Sequence, residues 1–355
     1  IGFHTQDIKA SQQPLHIVLK EEDKSLNEVV VIGYGVQKKK LVTGATVQVN
    51  GKELEKLNTV SPLGALQSKT PGVTITQSSG MPGEGYKVNI RGLGTTGDST
   101  PLYIIDGVAG GNINGLNPAD IESVDVLKDA ASAAIYGSRA ANGVILVTTR
   151  QGKAGKAQIS YDGYVGVQNV YRMPDLLNAK EYAMIMNEER MQDGLTPYNF
   201  ASLVPNWSDI ESGNWNGTNW MEEIRNKNAL ITNHAVNIAG GNDRSTFSTG
   251  LSYTYQDGIL GKPCEPNFSR YTARINSEHK IIQRGKLDVF TIGENLLYDY
   301  TQNQGISIGD NYGNDLRNML LTSPFLPNLN ADGSYHYAIP WEIREPNPIA
   351  KMYNV

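Results

Sequence analysis

Long runs of alternating apolar and polar residues constrain the fold of this chain more than any other feature. In one run Phe247, Leu251 and Tyr253 fall on one face of an extended strand, while Ser248 and Ser252 fall on the other. A period of two is typical of a β-strand with two unlike faces. The pattern predicts five such strands, at 159–167, 230–239, 247–255, 270–276 and 286–298.

The connections between these strands sort by length. Residues 240–245 and 283–285 are short turns, whereas 171–229, 257–267 and the segment after Tyr300 are long. Short and long connections alternate in this way between the two ends of an up-and-down β-barrel. A two-faced sheet of a soluble protein is the alternative for any single strand. Because five strands cannot close a wide barrel, the barrel interpretation predicts that the chain is a fragment.

The first half of the chain predicts a mixed α+β domain. Residues 123–127 alternate as a half-buried strand, and the β-branched run 144–147 suits a strand buried on both faces. Between them, Asp129 is placed to cap a short helix that Gly137 would end. Three more strands, at 73–76, 86–90 and 102–105, and a helix that begins at Ser61 and Pro62 and stops before Pro71 complete the prediction.

A linker at 25–45 contains an acid followed by four β-branched residues: Glu28, Val29, Val30, Val31 and Ile32. Glycines and three consecutive lysines follow. The segment is either an edge strand of a neighbouring domain or a mobile strand that adds to the sheet of a partner through backbone hydrogen bonds.

Composition argues against several classes of function. The net charge of −5 offers no basic face for nucleic acid. One cysteine, Cys264, and five scattered histidines predict neither a disulfide nor a metal or catalytic cluster. No run of about 18 apolar residues predicts a transmembrane helix. We therefore expect no catalytic residues, no metal and no cofactor. The start at Ile1 without a signal peptide predicts a processed or truncated N-terminus.

One glycine motif has two interpretations. Gly92, Gly94 and Gly97 spell G-x-G-x-x-G after the predicted strand 86–90. A dinucleotide site would need a helix to begin there. Pro101 and another apolar run follow instead, so we predict a flexible turn. The nearby acids Asp120, Glu122, Asp125 and Asp129 alternate with apolar residues and suit a solvated strand face.

The long connection 171–229 carries Trp207, Trp215 and Trp220 among several asparagines. Aromatic rings beside amides suit the binding of sugars or peptides. They equally suit a packed loop that contacts another protein, and the sequence does not separate the two. A helix predicted at 178–191 belongs to the same loop.

Several runs in a fixed order resemble one family. LNEVVVIGYG, PGVTITQSSGMPGEGYKVNIRG, LYIIDGV and the segment 118–150 closely resemble the plug domain of SusC-like TonB-dependent outer-membrane receptors. The resemblance covers roughly residues 26–153. It implies an α+β plug domain followed by antiparallel strands of an incomplete transmembrane β-barrel, which has 22 strands in the family.

The resemblance also assigns domains and site residues. Residues 1–24 would be the tail of a carboxypeptidase-regulatory-like β domain, 25–45 a linker with the TonB box at 28–32, 46–152 the plug, and 153–355 the N-terminal part of the barrel with long extracellular loops. Arg91 would lie inside the barrel and pair with acids of the barrel wall or of the plug. The plug-motif positions are Arg91, Gly92, Asp106, Gly107, Asp125, Gly137, Arg139, Asn142 and Gly143.

The implied function is TonB-dependent import of an oligosaccharide, glycan or peptide across the bacterial outer membrane. The implied partners are TonB with its energising complex, a SusD-like surface lipoprotein and outer-membrane lipid. The plug and the N-terminus would face the periplasm. An adhesin or a signalling receptor built on the same fold is the alternative, and growth of a knockout on the nutrient would discriminate them. No constellation of residues in the sequence supports a third hypothesis, that the protein is an enzyme.

Overall fold

The computed structural model describes most of the chain. The described residues are 29–32, 35–38, 46–67, 69–129, 133–285, 287–309, 313–337 and 346–353. The predicted domain tail at 1–24 and Glu28 lie outside them. Val29–Ile32 (β1) is extended and pairs antiparallel with Gly35–Lys38 (β2). These two strands form a sheet of their own, so β1 is not an edge strand of the sheet that follows.

Seven strands belong to the first domain: Thr46–Asn50 (β3), Val73–Gln77 (β4), Tyr86–Ile90 (β5), Leu102–Ile105 (β6), Val108–Ala109 (β7), Ile121–Leu127 (β8) and Val144–Thr149 (β9). Five of them form a central mixed sheet with the order β3-β8-β9-β6-β7. Strands β6 and β9 run parallel, and every other neighbouring pair in this sheet is antiparallel. Strands β4 and β5 form a separate hairpin.

Two short helices cover this sheet, and both begin at a side-chain cap. The Asn50 side chain accepts a hydrogen bond from the Lys52 amide at the start of Gly51–Glu55 (α1). The Ser61 side chain accepts from the Leu63 amide at the start of Pro62–Leu66 (α2). The predicted helix start at Ser61 and Pro62, and its stop before Pro71, are confirmed. Because caps satisfy amides that a helix leaves unpaired, these short helices are fixed locally.

The core of the first domain lies between its helices and its sheet. Leu54 and Leu63 from the helices pack with Val124 of β8 and Ile145 and Val147 of β9. Four consecutive residues of β9 are buried, which confirms the prediction of a strand covered on both faces. The first domain therefore has its own apolar core and does not depend on the second sheet for one.

The turn between β8 and β9 differs from the prediction. The sequence predicts one short helix that ends at Gly137. The structure has 3-10 turns over Ala134–Ala140, interrupted where Gly137 takes φ 71°. Gly137 does adopt a left-handed conformation, but the chain then makes another turn, in which the Ala141 amide donates to the Ser138 carbonyl. The glycine-rich segment 91–100 contains no helix, which confirms the predicted turn.

Five long antiparallel strands in sequence order form the second sheet, here called the wall. They are Gly155–Gln168 (β10), Ala229–Gly241 (β11), Ser245–Asp257 (β12), Asn267–Arg284 (β13) and Leu287–Gln304 (β14). Short turns join β11 to β12 and β13 to β14, and the other connections are long. Strands β10 and β14 are the two edges of the wall, so the sheet is an unclosed part of a barrel.

The two faces of the wall have opposite chemistry. The outer face is apolar and exposed, with Val165 68%, Leu251 58% and Leu296 58% accessible. The inner face of β12 and β13 is polar and buried, with Ser248 and Thr254 fully inaccessible. A soluble sheet buries its apolar face, so this inversion is typical of a barrel that faces lipid outward. No helix among the described residues is long and apolar enough to cross a membrane.

A module of small helices covers the end of the wall where the long connections lie. Phe200, Trp220, Met319 and Phe325 are buried in its own apolar core. Residues from 171–229 and from the segment after β14 both contribute. The helices are Ala179–Gln192 (α3), Phe200–Leu203 (α4), Trp207–Ser212 (α5), Trp220–Glu223 (α6), Asp315–Leu321 (α7) and Pro348–Tyr353 (α8). The predicted helix at 178–191 is confirmed as α3.

Candidate functional site

The polar inner face of the wall contacts the first domain, and this interface is the candidate functional site. Ser248, Thr254 and Asn276 of the wall are each at most 1% exposed. Buried polar side chains are destabilising unless they are hydrogen-bonded. Asn276 donates to Thr149 and Arg150 of the first domain. Ser248 and Thr254 instead bond to wall side chains, Arg274 and Asn233, that themselves contact the first domain. The interface is therefore a hydrogen-bonded one rather than an apolar core.

An ion pair between Asp120 and Arg274 lies at the centre of this interface. Both side chains are 1% exposed, and Arg274 Nε lies 3.3 Å from Asp120 Oδ1. Arg274 also donates to the Arg150 carbonyl at 2.7 Å and to Asn237 Oδ1 at 2.9 Å. Burial raises the pKa of Asp120, and the positive charge of Arg274 opposes that effect. The guanidinium thus joins two segments of the first domain to two strands of the wall.

Three asparagines of the wall extend the interface on either side of this pair. Asn117 of the first domain donates to Asn233 Oδ1 at 2.7 Å. Asn237 Nδ2 donates to the Ala119 carbonyl at 3.3 Å. Asn276 Nδ2 donates to Thr149 Oγ1 at 2.6 Å. The wall therefore holds the turn before β8 and the end of β9.

Arg270 holds a different part of the first domain. Its side chain is almost fully buried at 2% exposure. It donates to the Asn114 carbonyl and, at 2.8 Å, to the Val60 carbonyl. Val60 lies just before α2, so this arginine fixes the two loops of the first domain that lie near the long-connection end of the wall.

Gly250 allows the wall to approach the ion pair closely. A Cβ added at this position would lie 2.3 Å from Asp120 Oδ1 and 2.7 Å from Asn237 Oδ1. No side chain fits in that space, so glycine is required by the close approach rather than by the backbone conformation.

Arg91 and Gly92 lie away from this interface. Arg91 pairs with Asp129 of the same domain, and its side chain is 57% exposed. Arg91 has φ 59°, and Gly92 has φ 86°. The structure thus places the arginine at a turn where its partner is an acid of the first domain and not of the wall.

Asp106 and Asp125 stabilise the first domain from within. Asp106 accepts from the Thr149 amide at 2.9 Å and from Thr149 Oγ1 at 2.6 Å. Burial raises the pKa of Asp106, while these hydrogen bonds oppose the increase. Asp125 is 3% exposed, and the side chain of Gln48 on the neighbouring strand donates to it at 3.5 Å. Asp125 is therefore buried rather than part of a solvated strand face, and its neighbours on the adjacent strands are Gln48 of β3 and Leu146 of β9.

The remaining motif positions surround the turn between β8 and β9. Asn142 Nδ2 donates to the Asp98 carbonyl at 2.9 Å. Gly143 has φ 90°, and an added Cβ would lie 2.7 Å from Ile90 Cδ1. Arg139 is exposed, with its guanidinium over Gly110, and Gly107 has φ 86° in the β6–β7 turn. These positions shape the first domain and do not converge on one pocket.

The three tryptophans pack into the core of the helical module. Trp220 is 1% exposed, and its indole N–H donates to the Ser323 carbonyl at 3.0 Å. Trp207 stacks on Phe200 with ring centroids 5.2 Å apart, and Trp215 is partly buried against the same cluster. Trp220 has no free face for a substrate. The structure therefore favours a packed loop over a sugar- or peptide-binding surface for this residue.

Sequence reasoning did not single out the residues that build the interface. Arg270, Arg274 and Asn276 belong to the predicted alternating strand 270–276. Their even spacings of four and two residues place them on one face of that strand, and this is the one signal that the sequence carries. That this face would be buried against the first domain depends on tertiary contacts, as does the identity of their partners.

The geometry indicates that the site attaches the first domain to the wall. The attachment is made by polar groups, which water can solvate if the domain and the wall separate. Among the residues that the structure describes, no group of three or more metal-ligating side chains converges.

Comparison with known proteins places this geometry in a family. Residues 38–144 match the family described as TonB-dependent Receptor Plug Domain. TonB-dependent receptor P26 of Formosa agariphila is 34% identical over an alignment that spans 99% of this chain and 34% of that protein. TonB-dependent receptor SusC of Bacteroides thetaiotaomicron is 37% identical over 78% of this chain and 27% of its own length.

A solved structure shares the fold. The RagAB peptide importer in its open-open state superposes with a TM-score of 0.73 at 24% identity, over 92% of this chain and 38% of that one. The chain spans about a third of the length of the curated relatives it matches.

Proposed function

The chain belongs to the SusC-like TonB-dependent receptors, and we propose that the protein of which it forms a part imports a large nutrient across the outer membrane. The nutrient is an oligosaccharide or glycan, or a peptide. The first domain is the plug, and the wall is part of the barrel around it. The observation that carries the proposal is a plug held inside a wall by polar contacts, with an apolar face outside.

The proposed energy source is TonB, acting on the strand Val29–Ile32 and the preceding Glu28. An extended apolar segment can pair with a partner strand through its backbone. Among the residues that the structure describes, the strand that follows the β1–β2 hairpin is β3, which lies at the edge of the plug sheet next to β8. A pull on residues 28–32 therefore reaches an edge strand first, and part of the plug shifts to open a path.

The polar interface supports such a shift. Separating two apolar surfaces is unfavourable because it exposes them to water. Separating the plug from the wall costs less free energy, because their amides, hydroxyls and charges can replace each protein partner with water. Asn233, Asn237 and Asn276 are of this kind. The contacts thus hold the plug in place without making its movement prohibitive.

The remaining partners follow from the same proposal. The apolar outer face of the wall contacts outer-membrane lipid. The short turns and the plug N-terminus lie on the periplasmic side, and the helical module lies outside the cell. A SusD-like lipoprotein covers the extracellular end. The family alternative, an adhesin or signalling receptor, predicts normal growth of a knockout on the purified nutrient.

Deletion of residues 28–32 in the full-length protein tests the import mechanism. We expect nutrient uptake to be abolished while binding at the cell surface is retained, because the deleted strand is distant from the substrate side. Deletion of five residues at 39–43 is the matched control, since it shortens the same linker but leaves β1 and its partner β2 intact. Uptake at the wild-type rate after deletion of 28–32 would refute the proposal.

A further inference from the structure

Strand β10 has an unpaired edge, and the topology indicates what lies beside it in the full-length protein. Among the described residues no strand separates β10 from the end of the plug, so β10 is the first strand of the wall. Its one neighbour in the described sheet is β11. Because lipid cannot satisfy the backbone groups of a strand edge, a barrel in a membrane is closed, and its first strand pairs with its last.

The direction of that last strand follows from the direction of β10. Strand β10 runs from the short-turn end of the wall to the long-connection end. Single-chain bacterial barrels have an even number of antiparallel strands, so the last strand runs opposite to β10 and ends beside its start. The α-carboxylate at the C-terminus of the full-length protein, which is ionised at neutral pH, is thereby brought to this end of the wall.

A cavity of about 620 Å³ lies at that position, between the plug and the start of β10. Residues 155–163 of β10 are exposed on both faces, so the plug does not fill the space beside them. The cavity lies on the plug side of the wall, because Ala239 in its lining shares a face of β11 with Asn237, which bonds to the plug. It is therefore separated from the apolar outer face.

The lining of this cavity is cationic, although the chain as a whole has a net charge of −5. Its charged residues are four cations and one acid: Lys52, Arg150, Lys153, Lys156 and Glu122.

Two of the four cations are already neutralised. Arg150 pairs with Glu55, and Lys153 Nζ lies 2.9 Å from Glu122 Oε1. Lys52 and Lys156 have no ion-pair partner in the part of the chain that the structure describes. One unpaired ammonium group from the plug and one from the wall therefore face the same cavity.

We propose that this cavity binds the C-terminal carboxylate of the full-length protein, with Lys52 and Lys156 as its cationic partners. The inference rests on the proposed function, since it requires the wall to be completed into a barrel. Opposite charge supplies the attraction, and the side-chain amides of Asn50 and Gln158 line the same space as hydrogen-bond donors. Lys52 lies in α1, directly after β3, so the carboxylate ties the closing strand to the part of the plug that a pull reaches first.

Cross-linking of the full-length protein in detergent tests the contact. A carbodiimide joins an ammonium group to a carboxylate that touches it. We expect mass spectrometry to find the C-terminal residue joined to Lys52 or Lys156, together with a Lys153–Glu122 product that shows that the reagent reaches the cavity. A second measurement places cysteines at the final residue and at Lys156→Cys, and we expect them to form a disulfide on oxidation.

Hydrogen exchange of the amides at 155–160 tests the role of charge. Lys52→Gln with Lys156→Gln should accelerate exchange roughly 2- to 5-fold, as expected for a solvent-accessible ion pair. Lys52→Arg with Lys156→Arg should exchange like wild type, and the effect of the glutamines should vanish at about 1 M salt. Lys227→Gln, at an exposed position near the long-connection end, is the matched control.

A Lys153–Glu122 product without any terminal product overturns the inference. If neither amide forms, the disulfide decides, and its absence overturns the inference. Wild-type exchange in the glutamine variant also does so, as does an anionic phospholipid that copurifies with the wild type and is lost from that variant. Uptake that survives deletion of residues 28–32 refutes the import mechanism but leaves the cross-link standing, so the two failures are distinguishable.

Discussion

Replacement of Arg274 by methionine should detach the plug from the wall. Arg274 and Asp120 are each 1% exposed and 3.3 Å apart, and the arginine also donates to Arg150 and Asn237. Removing one partner of a buried ion pair typically costs about 3–5 kcal/mol, because the other charge is left uncompensated. At this cost, the population of molecules with the plug detached from the wall should be roughly 10²- to 10⁴-fold larger than in the wild type.

The loss should depend on pH, because Asp120 is the group left behind. Burial raises the pKa of Asp120 above its ordinary value of 3.8, and Arg274 opposes that increase. A carboxyl whose pKa is raised in the folded state favours folding below its ordinary pKa and loses that contribution as pH rises through the raised value. Without Arg274 the pKa rises further. The destabilisation should therefore be smaller at pH 5 than at pH 8.

Hydrogen exchange of the amides at 117–121, in the turn that bonds to the wall, measures this effect in the full-length protein in detergent. Exchange should accelerate strongly in Arg274→Met. The double variant Asp120→Asn with Arg274→Met should recover a substantial part of the protection, because it leaves no buried charge. Arg244→Met, in the exposed turn between β11 and β12, is the matched control. Wild-type exchange in Arg274→Met, or no recovery in the double variant, would refute the reasoning.

Three further substitutions probe other parts of the structure. Gly250→Ala should displace the Asp120 carboxylate, because the added Cβ would lie 2.3 Å from Asp120 Oδ1. The plug should then be digested faster by protease, and an unchanged rate of digestion would contradict the close approach. Trp220→Ala should destabilise the helical module by about 3–5 kcal/mol, seen as proteolysis within 171–229, with β8 exchange unaffected. Leu251→Arg on the outer face should make insertion into the bilayer less favourable by about 2–4 kcal/mol. The amount of folded, heat-resistant barrel recovered from membranes should therefore fall, whereas a wild-type amount would mean that this face does not contact lipid.

The long strands were predictable because their alternation is local. The outer positions of β12, from Phe247 to Tyr255, and the inner ones, from Ser248 to Thr254, fall on the faces that the sequence indicated. Which face would be buried was not predictable from periodicity. Ser248 and Thr254 are buried only because the plug lies against them, and plug and wall are distant in sequence.

The functional residues were predictable only where a local rule applied. Ser61 begins α2 as a cap, and Gly137 takes a left-handed conformation, as local rules predict. The alternating pattern predicts a solvated face for Asp125, but the residue is buried. Its neighbouring strand β3 lies more than seventy residues away in the chain, so no local pattern could indicate the burial. Arg274 carries no local signature, since its role depends on Asp120.

The contacts that hold the plug also order its assembly. Asn117 and Asn233 are 116 residues apart in the chain, Asp120 and Arg274 are 154 apart, and Val60 and Arg270 are 210 apart. Closing loops of this length costs conformational entropy before any contact forms, and contacts of high sequence separation form slowly. The plug can build its own apolar core early, but it can dock only after β11, β12 and β13 have aligned. The polar side chains that later face each other remain hydrated until then, which protects the undocked plug from aggregation while the wall is completed.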